Sequence, residues 1–386
     1  MPFFAPIPGL RAPALAFVAQ GMVWAAFAAQ VPVIKAQIGA SDAQIGTIFL
    51  IASLGAVASV WLAPVVDRVL GARSVSVSSA LLGLIFIALA VSPNILTFVA
   101  VFLVVSAISG VSDIVMNART SEVESAQKRS LMNLNHAAFS FSYALTAVLT
   151  GFAREAGFGP LPIFAAVALA ILVMSLFMRA PHEELVEDTT QPAPALPMGL
   201  VWVGGFVVMA GFCTEVAVEG WSALHIEREL GGDATAGALG PAVLGLTMGI
   251  GRLFGQVLTR YVRDTTLIAA ACLTAALGSV MAALAGSPFM AQVGFGVMGL
   301  GVSLVVPLAM GIIGRSVAPS LRVAALSRAS AISYASFVMW PFVMGAVAEA
   351  VSLAASFLMV AAFLVIVTIV LIPLLTRRLR AVEGDV

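Results

Sequence analysis

An apolar run, TFVAVFLVVSAI (97–108), is closely followed by an aspartate, Asp113. A charge at the centre of a bilayer costs about 2.5–3.5 kcal/mol even on the lenient insertion scale, so an acid there faces a bundle interior, a water-filled cavity or a partner. Helical spacing places Ser106, Gly110, Asp113 and Asn117 on one face. A carboxyl on such a polar stripe can take up a proton when a cavity opens to one side and release it when the cavity opens to the other. The competing reading is a buried ion pair that stabilises the bundle, for instance with Arg119.

A second pair of acids sits in CTEVAVEGWSAL (213–224), where Glu215 and Glu219 are one helical turn apart. Like charges at that spacing repel, so at least one must be neutral or paired. Glu219 alternatively sits at a membrane interface, with Trp221 in an aromatic belt. In LNHAAFSFS (134–142) and the residue after it, His136, Ser140 and Tyr143 share a face, and Asn135, Phe139 and Ser142 share the adjacent one. Small polar residues commonly join membrane helices, yet as a set these suggest a polar lining. Gln20, Trp24 and Phe27 line up similarly, as do Ser327, Ser330 and Tyr334. Arg252, in GRLFG (251–255), is the one basic residue left inside an apolar run, and reads as a pairing residue near an inner gate.

The elements that must carry these residues follow from composition. The 386 residues are 61% hydrophobic and 10% charged, which a water-soluble globule cannot bury. Net charge is zero, so nothing points to nucleic acid. Cys213 and Cys272 lie far apart in apolar runs, and no histidine has an HExxH spacing, so neither a disulfide framework, a metal site nor a cofactor is expected. MPFFAPIPGLR at the start does not read as a cleaved signal peptide. A bilayer core needs about 20 apolar helical residues. Such runs fall near 12–33, 43–66, 74–92, 96–118, 130–151, 161–178, 198–222, 235–259, 265–285, 289–313, 324–348 and 353–375. They are too long for barrel strands and lack period-two alternation.

The expected fold is therefore an all-α membrane protein with twelve transmembrane helices. Placing both termini in the cytoplasm puts 15 Lys and Arg residues on the inner side and 3, Lys35, Arg154 and Arg228, outside, which satisfies the positive-inside rule. The acidic, proline-rich stretch 180–197 is too polar to insert, and divides the chain into six-helix bundles at 1–179 and 198–386. A repeat supports the division: APVVDR (63–68) is echoed by GQVLTR (255–260), ending in Arg68 and Arg260. Glycines 245, 249, 251 and 255, and 294, 296, 299 and 301, would give smooth surfaces for close helix contact. Pro341 is expected to kink its helix beside Trp340.

Two such halves with these loops resemble the major facilitator superfamily. Ala63, Asp67, Arg68, Gly71 and Arg73 follow the order of its loop signature, with alanine in place of the first glycine and one extra residue. The resemblance implies that this loop latches a cytoplasmic gate. SDIVMN (112–117), LNHAAF (134–139) and TEVAVEGW (214–221) resemble segments of the fucose:proton symporter branch. That likeness implies solute and proton roles for Asp113, with Asn117 beside it, and aligns Glu215 with the branch's glutamate. Ala28, four residues before Pro32, stands where the branch carries an aspartate, which shifts coupling toward Asp113 and Glu215.

The expected function is proton-coupled symport of a small polar solute, a sugar or polyol, by a monomer in a bacterial-type inner membrane. Asp113 and Glu215 would couple protons. Gln20, Trp24, Asn117, Asn135, His136, Ser140, Tyr143, Glu219 and Tyr334 would bind solute, and Asp67, Arg68, Arg73, Arg252 and Arg260 would gate. Proton-driven efflux of drugs or metabolites is the alternative, and a non-transporting membrane sensor a remote one. No nucleophile, base and oxyanion donor assemble into an enzyme site.

Overall fold

The computed structural model describes residues 9–127, 131–179, 196–259, 261–317 and 322–384. These residues fold into helices and short connections, since a bilayer offers the backbone no water and each long apolar run must satisfy its own hydrogen bonds. The helices are α1 (Arg11–Ile38), α2 (Asp42–Leu70), α3 (Ser74–Ala90), α4 (Ile95–Gln127), α5 (Met132–Glu155), α6 (Pro160–Ser175) and α7 (Met198–Leu224). They continue as α8 (Ala234–Leu258), α9 (Asp264–Ala283), α10 (Pro288–Arg315), α11 (Arg322–Ser333), α12 (Ala335–Ala350), α13 (Leu353–Ile366) and α14 (Ile372–Gly384). Among the described residues nine stretches are long and apolar enough to cross a membrane, and Pro160–Ser175 is a shorter apolar helix. One of the nine, Asp42–Ala90, contains both α2 and α3, which join through a tight turn at Gly71–Arg73.

Local chemistry sets the helix ends. Gly39 takes a left-handed conformation (φ 65°) that closes α1, and its N–H returns to the Ala36 carbonyl. Ser41 and Gln44 form a reciprocal capping box that starts α2. Two boundaries differ from the sequence expectation. The fourth helix runs to Gln127 rather than ending near 118, because hydropathy marks where lipid stops, whereas ARTSEVESAQ (118–127) has no glycine or proline to end a helix. A break that the sequence did not signal lies at Tyr334, between α11 and α12, and Pro341 is buried inside α12.

Packing brings α1–α6 and α7–α14 together along two main lines, α5 against α8 and α2 against α12, with α1 touching α7 and α8. At α2 and α12 the approach is backbone on backbone: a Cβ on Gly46 would stand 2.5 Å from the Pro341 carbonyl oxygen, and one on Gly345 2.5 Å from that of Asp42. The glycines of α8 and α10 divide their work. Gly245 and Gly249 face Tyr143, Ser140 and Phe141 of α5, whereas Gly251 and Gly255 face Ser303 and Leu304 of α10. Gly294 and Gly301 meet the backbone of α9, and Gly296 and Gly299 meet α8. Phe17, Phe98, Phe102, Phe164, Trp221, Phe295 and Phe357 fill the interior, while Leu96, Leu145, Leu169 and Ile369 point outward, a surface suited to lipid.

Candidate functional site

On α4 the Asp113 carboxylate has one hydrogen-bond partner among the described residues, the Asn117 amide, whose Nδ2 donates to Asp113 Oδ1 at 3.2 Å and to its carbonyl at 2.8 Å. Arg119 is not its counter-ion. That guanidinium is buried and pairs with Asp67 of α2 and with Glu122 at 2.5 Å. Asp113 and Asn117 are half-buried, and Tyr334, at the α11–α12 break, lies within electrostatic reach of Asp113. The rest of the expected stripe is packing surface: Gly110 lies against Ser59 and Ala56 of α2, and Ser106 is buried.

A second cluster joins α5, α7 and α8 through Arg252. Its Nη1 donates to Ser140 Oγ at 2.8 Å and its Nη2 lies 3.4 Å from Glu215 Oε1. An arginine fork suits this, because its several N–H groups satisfy partners on two helices at once. His136, one turn from Ser140, lies within reach of the Arg252 charge and packs edge-on against Phe17 at 4.8 Å between ring centroids. Glu219 has no hydrogen bond or ion pair among the described residues. Tyr143 is buried and in reach of both Glu219 and Glu215, and its hydroxyl has no hydrogen-bond partner. Arg252 therefore stands with Glu215 between the two sets of helices, apart from the Asp67 loop with which it was grouped.

Three expected binding residues are engaged in holding helices. The Gln20 amide donates to the Ser109 carbonyl at 2.8 Å and accepts from the Ser109 hydroxyl at 3.0 Å, and Trp24 Nε1 donates to the same hydroxyl at 3.2 Å. Asn135 is buried and donates to Thr120 Oγ1 at 2.9 Å. Arg68 and Arg73 are exposed and make no ion pair among the described residues. Arg260 and the side chain of Ser327 lie outside the described residues, as does most of the 180–197 stretch.

The contacts between the two sets concentrate at one end, the one expected outside. Arg154 of α5 grips Glu227, after α7, with two bonds of 2.6 and 2.9 Å, and donates at 2.6 Å to the Ala29 carbonyl of α1. Asp42 of α2 takes Lys35 and Arg228 at 2.6 Å each. Glu349 of α12 accepts from Ser41 Oγ at 2.6 Å and from the Ala43 N–H at 2.8 Å, capping α2 from outside its own set. Thr235 donates to Glu155. At the opposite end the ion pairs Arg119–Asp67 and Arg315–Asp264 each stay within one set, and no ion pair among the described residues crosses there. Ser109, Glu227 and Glu349 were not singled out by sequence reasoning, which named Arg119 only as a possible partner for Asp113 and Arg154 only as an outer-face charge. The matching acids and bases of the outer loops were the available signal.

The chain is similar in sequence or in fold to several transporters. It is 28% identical over 358 residues to an uncharacterized MFS-type transporter of Yersinia pestis, covering 92% of each chain. Among solved structures it superposes on a bacterial homolog of the human lysosomal transporter Spinster, in an inward-facing and occupied conformation, with a TM-score of 0.70 at 13% identity, covering 97% of this chain and 96% of that one. It also superposes on the nucleoside transporter NupG with a TM-score of 0.64 at 15% identity, covering 95% and 98%. The sequence model of the Major Facilitator Superfamily matches residues 14–285. With long apolar helices, two sets of helices in contact along α5–α8 and α2–α12, and this match over most of its length, the chain belongs to the Major Facilitator Superfamily, a multi-pass membrane transporter rather than an enzyme.

Proposed function

We propose that this transporter carries a small polar solute together with a proton, by alternating access. The observation that carries the reading is Asp113: a carboxylate in a membrane helix whose only partner among the described residues is a neutral amide, while the Arg119 guanidinium of the same helix is held by Asp67 and Glu122. An acid without a counter-ion at that depth is most stable with a proton on it when the site is dry and without one when water reaches it, which is the requirement for coupling. A proton moving inward would contribute about 2.3 kcal/mol per 100 mV of membrane potential. In this reading Asn117 orients the carboxyl, Tyr334 senses it from the C-terminal helices, and Arg252, tied to Glu215 and Ser140, links the two sets across the solute path.

The proposed architecture is twelve spans, with α11–α12 and α13–α14 each counted as one, in bundles 1–179 and 198–386 joined by the linker 180–197, both termini cytoplasmic. It works as a monomer in the cytoplasmic membrane. The outer contacts around Arg154 and Asp42 then make this state closed outside, and the family geometry implies rocking of one bundle on the other. Uptake by proteoliposomes tests the coupling. Asp113→Asn should abolish pH-driven accumulation while sparing solute exchange, and pH-driven uptake unchanged in that variant refutes the role of Asp113.

A further inference from the structure

A cluster at the α5–α7–α8 contact holds two carboxyl groups for a single guanidinium. Two carboxylates, Glu215 and Glu219, stand one turn apart on α7, and one guanidinium, Arg252, answers Glu215 at 3.4 Å while spending a shorter bond, 2.8 Å, on Ser140. Glu219 is left without a hydrogen bond or ion pair among the described residues. Among the described residues His136 and Tyr143 of α5 also reach this cluster electrostatically, and neither forms an ion pair or hydrogen bond with Glu219. A half-buried carboxyl group with no counter-ion among the described residues is poorly placed to hold its charge alone, so an arriving cation would suit it.

The second observation is Tyr143. It is 2% exposed, its hydroxyl finds no hydrogen-bond partner, and the charges of both Glu219 and Glu215 reach it. Around its ring stand the aromatic groups Phe139 and Trp24, and the alanines 25, 28, 147 and 242 of α1, α5 and α8. Gly245 brings α8 against the same ring: a Cβ there would lie 2.8 Å from Tyr143 Cδ1. An unpartnered hydroxyl, an unpartnered carboxylate and aromatic faces are what a primary ammonium requires: it donates to the oxygens and lies against the rings.

We infer that Glu219 and Tyr143 form the recognition point for a primary ammonium group on the transported solute, with Glu215 as the second carboxylate and Arg252 keeping the two acids from competing for it. The inference rests on the transport reading above, for it makes the polar solute an amine. An anionic solute would find no unpaired cation in this cluster.

Melting curves of the purified full chain, with titrated glucosamine against glucose, galactosamine against galactose, serinol against glycerol, choline as the quaternary member and glucuronate as the anion, test this directly. At least one primary amine should bind more tightly than its neutral counterpart by roughly tenfold, the scale of one charge-assisted hydrogen bond. Glu219→Gln should cut that preference to within about twofold, and Tyr143→Phe should weaken amine binding several-fold, on the same basis. Neither residue has a hydrogen-bond partner to lose, so both variants should melt without ligand at or above the parent temperature. A preference that survives Glu219→Gln, equal or tighter binding of the neutral or anionic members, or no amine better than its counterpart overturns the inference. Proton-driven transport of a neutral solute abolished by Asp113→Asn would sink it and leave the transport reading standing. Amine binding lost in Glu219→Gln, without transport of any amine into proteoliposomes, would leave an ammonium site here but overturn the claim that the amine is the transported solute.

Discussion

Arg154→Ala removes the arginine fork that ties α5 to the segment after α7, at the end proposed to be closed. In this state the guanidinium makes two bonds to Glu227 and one to the Ala29 carbonyl, with side chains only 6% and 18% exposed. Truncation leaves the Glu227 carboxylate half-buried and the carbonyl without its donor. Hydrogen bonds to charged groups contribute about 1.5–3 kcal/mol each, but opening would return both ions to water, which offsets part of that gain. A net bias of about 2–3 kcal/mol toward opening shifts the closed-to-open ratio by roughly 30- to 150-fold. Electron-spin distance measurements between labels at Phe158 and Val351, exposed positions on loops of the two sets at this end, would read it. The parent should give a short, narrow distribution and Arg154→Ala a second, longer one, as should Glu227→Gln. The charge swap Arg154→Glu with Glu227→Arg should restore much of the short population. Unchanged distances in both single variants would refute the assignment of this pair as the latch.

The remaining predictions concern single contacts. Gly46→Val places a side chain against the backbone of Pro341 and Phe342, which cannot yield as a flexible side chain would, so the same labels should report a more open outer end and transport should fall at least about tenfold. Arg119→Ala removes buried ion pairs to Asp67 and Glu122 and should lower the melting temperature by several degrees, at a cost on the order of 3 kcal/mol. A melting curve identical to the parent's would refute it. Arg252→Lys keeps a charge for Glu215 but cannot serve two helices with one rigid fork, so it should retain solute binding and lose most turnover. If Arg252→Lys transports like the parent, the bridge to Ser140 is dispensable.

Much of the site was within reach of the sequence, though not its wiring. Asp113 was conspicuous because an acid so soon after a long, mainly apolar run has few tolerable environments, and that argument needs no coordinates. Helical phase also placed His136, Ser140 and Tyr143 together, and Arg252 meets two of the three through contact or charge. The same phase argument could not tell a lining residue from a joint. Gln20 and Asn135 looked like ligands for a solute, yet each holds a neighbouring helix, because the partner atoms on Ser109 and Thr120 come from elsewhere in the chain. Gly110 shared the face of Asp113 and went to packing for the same reason: α2 lies close enough to need a residue without a side chain.

Composition and periodicity by themselves determined that the protein lives in a membrane as helices, and that a few polar residues sit where lipid forbids them, since both follow from the transfer of single side chains between water and hydrocarbon. Which of those residues meet was decided only by tertiary structure. Ion pairs such as Arg154–Glu227 and Arg119–Asp67 join residues 73 and 52 positions apart, and a pairing energy depends on distances of a few ångströms that no local pattern encodes.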